Sequence, residues 1–177
     1  VVNGDTHARR LPYTSPFSDT RFLLGPEFSI LREEFWTVPP RGFRNEVTHV
    51  LVMLGGDDAF GLMPGLLRLL DQRPEALHMT AVLGPFFSRV DDIEAAAASM
   101  RHPIRLLRQP DAVRDVMLVA AFAVSAGGQT LYELARVGCP TIALQIADNQ
   151  AGQMQAFDEA GGLRLAGRGT AFTFSLP

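Results

Sequence analysis

The sequence predicts an α/β fold in which a parallel sheet is covered by helices on both faces. Three observations carry this expectation. Short apolar runs rich in Val, Ile and Leu alternate with segments of helical period. Each run from residue 48 onward ends near a cluster of Gly, Pro, Asp or Asn that turns the chain into the next helix. Residues 1–46 break the alternation, with several prolines, scattered aromatics and little periodicity, so they are expected to be a connector or wrapping arm ahead of one domain at 47–177.

In chain order, VVN at the start reads as the tail of a strand whose partners, with an upstream domain, lie outside this chain. Strands follow at 48–54 (THVLVML), 79–83 (MTAVL), 104–107 (IRLL), 121–125 (AFAVS), 141–146 (TIALQI) and, weakly, 163–165. Helices fall between them at 60–72, 91–101, 112–119, 129–138 and 150–160. The turns are GGDD at 55–58, GP at 84–85, QPD at 109–111, AGG at 126–128 and ADN at 147–149. In such a sheet these turns gather at the carboxyl edge, where ligands bind.

Length and composition narrow the function. A chain of 177 residues suits one large domain or a domain with an extension. The net charge of −3, with both signs mixed, offers no basic stripe for nucleic acid and no polybasic surface for anionic lipid. The longest apolar run, Val116 to Val124, is about half of what a bilayer span needs. No basic region followed by an apolar core opens the chain, so a cytoplasmic protein is expected. The single cysteine, Cys139, enters an apolar strand and reads as a buried structural thiol. His49, His78 and His102 stand far apart, so no metal is expected.

The most informative stretch is FAVSAGGQTLYE at 122–133. An apolar strand breaks at Ser125, Ala126, Gly127 and Gly128, and a helix opens at Gln129 and Thr130. Glycines let the backbone approach an anion, and the helix start directs free N–H groups and the positive end of its dipole to the same place. Glu133 lies about one turn into that helix, where a carboxylate accepts hydrogen bonds from ribose hydroxyls. The pattern reads as a nucleotide site. A tight turn needing a left-handed glycine, with a solvated glutamate after it, is the competing account.

These residues resemble a known group. LLGPEFSILREEF at 23–35, VLVMLGGDD at 50–58, SAGGQTLYELARVGCPTIAL at 125–144 and ADNQ at 147–150 are similar, in that order and spacing, to the carboxyl-terminal half of the UDP-sugar hydrolases of pseudaminic acid biosynthesis and the related spore-coat polysaccharide proteins. More distantly, the segment from SAGG to Glu133 is similar to the donor-binding half of the bacterial peptidoglycan glycosyltransferase that uses UDP-N-acetylglucosamine. The resemblance implies one Rossmann-like half of a GT-B architecture, UDP or a UDP-sugar as ligand, no cofactor, and Glu133 on the ribose. It also implies a catalytic histidine on an amino-terminal domain, so no catalytic residue is expected here. Gly4, His7 and Arg10 fall at the spacing of that histidine motif, but no adequate strand precedes them and LPYTSPFSD cannot form the helix the motif opens, so the match reads as coincidence. Two departures are Ala121, where the family usually has aspartate, and Gln129, where it usually has serine.

Further ligand contacts are expected in the neighbouring turns. Gly55, Gly56 and Asp57 offer a second phosphate or sugar contact, against an Asp cap after a turn. Asp148, Asn149 and Gln150 precede a helix, where Asn149 is an N-cap candidate and the amides suit sugar hydroxyls. The uracil is expected against the turns at Leu83 to Pro85, which include Gly84, and at Gln109 to Asp111. Phe86 and Phe87 either flank the base or plug the core. Three functions remain open: a UDP-sugar hydrolase half, the donor half of a glycosyltransferase, and a non-catalytic nucleotide-binding module. GGDDAFG does not match the GxGxxG of a dinucleotide oxidoreductase, and no lysine stands near the fifth strand for a receiver domain.

Overall fold

The computed structural model describes residues 1–42 and 47–168. Residues 43–46, at the end of the expected arm, and 169–177, assigned to the domain, lie outside the described residues. The elements run β1 (Val2–Asn3), β2 (Leu23–Leu24), β3 (His49–Met53), α1 (Met63–Asp71), β4 (His78–Leu83), α2 (Val90–Ala98), β5 (Ile104–Arg108), α3 (Val113–Val119), β6 (Phe122–Ala126), α4 (Thr130–Arg136), β7 (Thr141–Gln145), α5 (Ala151–Glu159) and β8 (Arg164–Arg168). Strands β3 to β8 form one six-stranded sheet in the order β5-β4-β3-β6-β7-β8, and every pair is parallel. This is the Rossmann order. After β5 the chain returns past β3 to lay β6 on its other side, which leaves a crevice between the β3 and β6 loops at the carboxyl edge.

Alternation along β3 shows why the sheet is buried twice. Val50 and Val52 pack with Leu66, Leu67 and Leu70 of α1 and Ile93 of α2. Leu51 and Met53 point the other way, against Val113 and Met117 of α3 and Leu134 of α4. The apolar positions of α1, at Met63, Leu66, Leu67 and Leu70, recur at the spacing that places them on one helix face. Beside α4 and α5, Leu131, Tyr132, Ala143, Met154 and Phe157 form a third cluster on the α3 face.

Residues 1–42 make specific contacts with α3, α4 and α5. Phe35 is wholly buried among α3 and α4 residues. The Arg41 guanidinium donates to the carbonyls of Met117, Ala120 and Ala121 where α3 ends. The strand tail at Val2–Asn3 has a partner inside the chain, because β2 pairs with it in parallel. His7 and Arg10 dock the arm on α5: the His7 ring lies where a Cβ on Gly152 would be, and Arg10 pairs with Glu159 at 2.8 Å.

Candidate functional site

A cleft of about 460 Å³ opens at the carboxyl edge of the sheet, over the point where the strand order reverses. Its lining brings together Gly55 and Gly56 after β3, Leu83, Gly84 and Pro85 after β4, Gln109 and Pro110 after β5, and Gln129, Thr130 and Glu133 from α4. Residues far apart in sequence thus meet because parallel strands deliver all their following loops to one edge. A separate hollow of about 380 Å³ on the α1 face is lined by Leu66, Leu69, Leu70, Phe122, Val124 and Ile142, with Arg73 and Glu75 as its polar residues, and has little to offer an anion.

The residues after β6 divide into two roles. Ser125, Ala126 and Gly127 are buried; the Ser125 hydroxyl donates to the Ala126 carbonyl at 3.0 Å and so turns inward. A Cβ on Gly127 would strike the Met154 sulfur of α5, so any larger residue there displaces that buried side chain. Gly128 is half-buried, and a Cβ there would meet nothing within 4 Å. The Gln129 amide donates to the Ile30 carbonyl at 2.9 Å, which ties the arm to the start of α4. At the start of α4 the N–H groups of Leu131 and Tyr132 donate to the carbonyls of Gly128 at 3.1 Å and Gln129 at 3.0 Å, and the Gly127 N–H donates to the Leu144 carbonyl at 3.1 Å.

Glu133 is 5% exposed and meets a partner the sequence did not suggest. Arg32 donates through Nε to Oε1 at 2.7 Å and through Nη2 to Oε2 at 2.9 Å, a two-pronged fork. The hydrogen bond to the Glu133 carboxylate holds the Arg32 guanidinium above its ordinary range, against the opposing effect of burial. Arg32 also lines the cleft. It stands 101 residues from Glu133 among other charges in ILREEF, so no local pattern marks it.

The other expected contacts are placed as follows. Asp57 is exposed and outside the cleft lining, whereas its neighbour Asp58 is buried and accepts from the N–H groups of Leu62 at 2.7 Å and Met63 at 2.8 Å. Asp58 thus satisfies N–H groups at the start of α1 from four residues before its N-cap, Leu62, and α1 starts at Met63 rather than at 60. Gly84 lets two loops touch, since a Cβ there would collide with the carbonyl groups of Gly55 and Gly56. Asp148, Asn149 and Gln150 form a 3-10 turn before α5 that is absent from the cleft lining. Asn149 makes no side-chain cap, and Gln150 instead accepts from the Ile146 N–H at 3.0 Å. Phe87 joins the core while Phe86 is exposed. Gln109 has φ of 45°, the one non-glycine among the described residues with positive φ, and it sits in the cleft wall. Among the described residues no group of three His, Cys, Asp or Glu could hold a metal ion, and no helix is long and apolar enough to cross a membrane.

No protein-family model matches the chain. Among curated proteins, the chain is 29% identical over 143 residues to the pseudaminic acid cytidylyltransferase and UDP-2,4-diacetamido-2,4,6-trideoxy-β-L-altropyranose hydrolase of Helicobacter pylori, covering 81% of this chain and 25% of that protein. It is 25% identical over 146 residues to the spore coat polysaccharide biosynthesis protein SpsG of Bacillus subtilis, covering 81% of this chain and 43% of that one. The chain thus spans less than half the length of either relative. Among solved structures, the MurG protein of Acinetobacter baumannii superposes with a TM-score of 0.60 at 18% identity over 76% of this chain and 39% of its own. The chain is a distant homologue of these two proteins, with the fold of one half of a GT-B glycosyltransferase.

Proposed function

We propose that this chain is the UDP-sugar-binding half of a nucleotide-sugar hydrolase that cleaves the bond between sugar and pyrophosphate and releases UDP. The observation that carries the reading is the single cleft at the strand-order reversal in which the start of α4, the glycine turns after β3 and β4, and the buried Glu133 all converge. The diphosphate lies at the start of α4 beside Gly128, Gln129 and Thr130, with Gly55 and Gly56 opposite. The ribose hydroxyls donate to Glu133, and the uracil edge is read by backbone groups at Leu83 to Pro85 and Gln109 to Asp111.

In the reaction, a water oxygen attacks the anomeric carbon as the bond to pyrophosphate breaks, and the bonding electron pair leaves with UDP. In this reading the charge that builds on the leaving oxygens is met by N–H donors of the glycine turns and of the loop that opens α4. The base that takes the proton from water is proposed to lie on a further domain, a reading supported by the length of the curated relatives beyond the matched segment. Asp148, Asn149 and Gln150 reach the sugar when that second domain closes the cleft.

Calorimetric titration with UDP, NAD and AMP tests the nucleotide assignment. UDP alone is expected to bind, weakly, because one wall of the cleft is supplied elsewhere. No heat with UDP, or equal binding of all three, overturns it. Incubating the full-length protein with a UDP-sugar separates hydrolysis, which yields free sugar, from transfer, which yields a glycoside.

A further inference from the structure

Glu133 presents a chemical problem that only the arm solves. A buried carboxylate is costly unless it is paired and hydrogen-bonded, and the partner comes from outside the sheet and its helices, as the Arg32 fork. That fork occupies one acceptor position on each carboxylate oxygen. An ionised carboxylate has about four such positions, so each oxygen keeps the capacity to accept again. Both residues line the cleft, which is where a further donor can arrive.

The guanidinium is itself held. Its Nη1 lies 3.2 Å from Oε1 of Glu34, and its Cζ sits 5.2 Å from the ring centroid of Phe35, a ring wholly buried in the core. The backbone just before it is pinned by the Gln129 amide at Ile30. A planar group restrained by an anion, a ring and an anchored backbone fixes the plane of the carboxylate it grips. Arg32 is half-exposed whereas Glu133 is buried, so the pair keeps a buried carboxylate from standing uncompensated; what it also supplies is orientation.

We infer that Arg32 is a positioning residue that sets the Glu133 carboxylate to accept from both hydroxyls of a ribose cis-diol, and so makes the cleft select ribonucleotides over 2′-deoxyribonucleotides. This rests on the nucleotide reading above. A vicinal diol offers two donors on adjacent carbons, which match the two oxygens of one carboxylate only if its plane faces them. Freed from the fork, the carboxylate rotates about its last side-chain bond, and the matched pair is lost.

The test is calorimetric titration of the wild-type chain, Arg32→Met and Arg32→Lys with UDP and with 2′-deoxy-UDP. The wild type is expected to prefer UDP by about tenfold, the size of one hydrogen bond to a charged group. Arg32→Met is expected to bind the deoxy compound as the wild type does while its preference for UDP falls to near unity. Arg32→Lys keeps the charge but not the fork, so it is expected to lose most of the preference; it also decides the matter if Arg32→Met does not fold. Full preference retained in Arg32→Lys overturns the proposal. So do parallel losses of both ligands, which make Arg32 an anion contact. Wild-type binding of UDP and 2′-deoxy-UDP with equal affinity removes Glu133 from the ribose, whereas no binding of either by the wild type overturns the nucleotide reading itself.

Discussion

Thr6 and Tyr132 are joined across 126 residues: the Thr6 backbone N–H donates to the Tyr132 hydroxyl at 2.9 Å. The Thr6 hydroxyl also donates to the Gln153 carbonyl at 2.9 Å, so one arm residue clamps α4 to α5. Tyr132 adjoins Glu133, and the clamp therefore bears on the helix that carries the candidate ribose contact.

The burial of Tyr132 has a pH signature. Burial pushes the Tyr132 phenol above its ordinary value, against the opposing effect of the Thr6 N–H bond. A group whose value is raised on folding stabilises the fold fully below its unfolded value, near 10 for tyrosine, and that stability is lost as pH rises through the higher folded value. The melting temperature is expected to fall as pH rises above about 10, with Tyr132 titrating late by phenolate absorbance. Tyr132→Phe is expected to remove the late titration and cost about 1 kcal/mol at neutral pH. A Tyr132 phenol that titrates in the ordinary tyrosine range refutes its burial.

Removal of the buried carboxylate separates ribose from phosphate recognition. Glu133→Ala is expected to weaken UDP by about 10- to 100-fold and to leave inorganic pyrophosphate nearly unchanged. Its effect on stability is expected to be about 1 kcal/mol or less, because Arg32 stays half in water. Equal losses for the two ligands, measured by calorimetry, take Glu133 out of the ribose site.

The double glycine separates packing from binding. Gly127→Ala places a methyl against Met154 and is expected to cost about 1–3 kcal/mol in denaturant titration. Gly128→Val meets open space, so the fold is expected to hold while UDP and pyrophosphate binding are both abolished. Affinity retained in Gly128→Val removes this loop from the site.

Backbone strain sits in the cleft wall at Gln109. Relieving it with Gln109→Gly is expected to stabilise the chain by about 0.5 kcal/mol, the left-handed penalty less the entropy of glycine. Gln109→Val is expected to destabilise it by about 1 kcal/mol or more, since a β-branched residue tolerates positive φ poorly. Identical unfolding curves for the two variants show that this turn does not hold the left-handed conformation.

The strand and helix series could be read from the chain because burial on two faces writes itself into local composition: a strand such as β3 is apolar from Val50 to Met53, and the helices keep one apolar side. The glycine turns were readable for a similar reason, since each marks a local change of direction. The arm was not, because its pairing of β1 with β2 and its burial of Phe35 depend on surfaces that exist only once the sheet has formed. Asp57 and Asp58 show the same limit on a small scale, as the helix start that decides between them is set by packing of Met63 and Leu66.

Local pattern was thus sufficient to establish the α/β series, the carboxyl-edge turns and the glycine-to-glutamate segment at 125–133, because each reflects forces acting within a few residues. Chain path settled the rest. It chose Arg32 as the partner of Glu133 and divided Gly127 from Gly128, because those outcomes depend on which side chains, 26 to 101 residues away, arrive at the same spot and exclude water there.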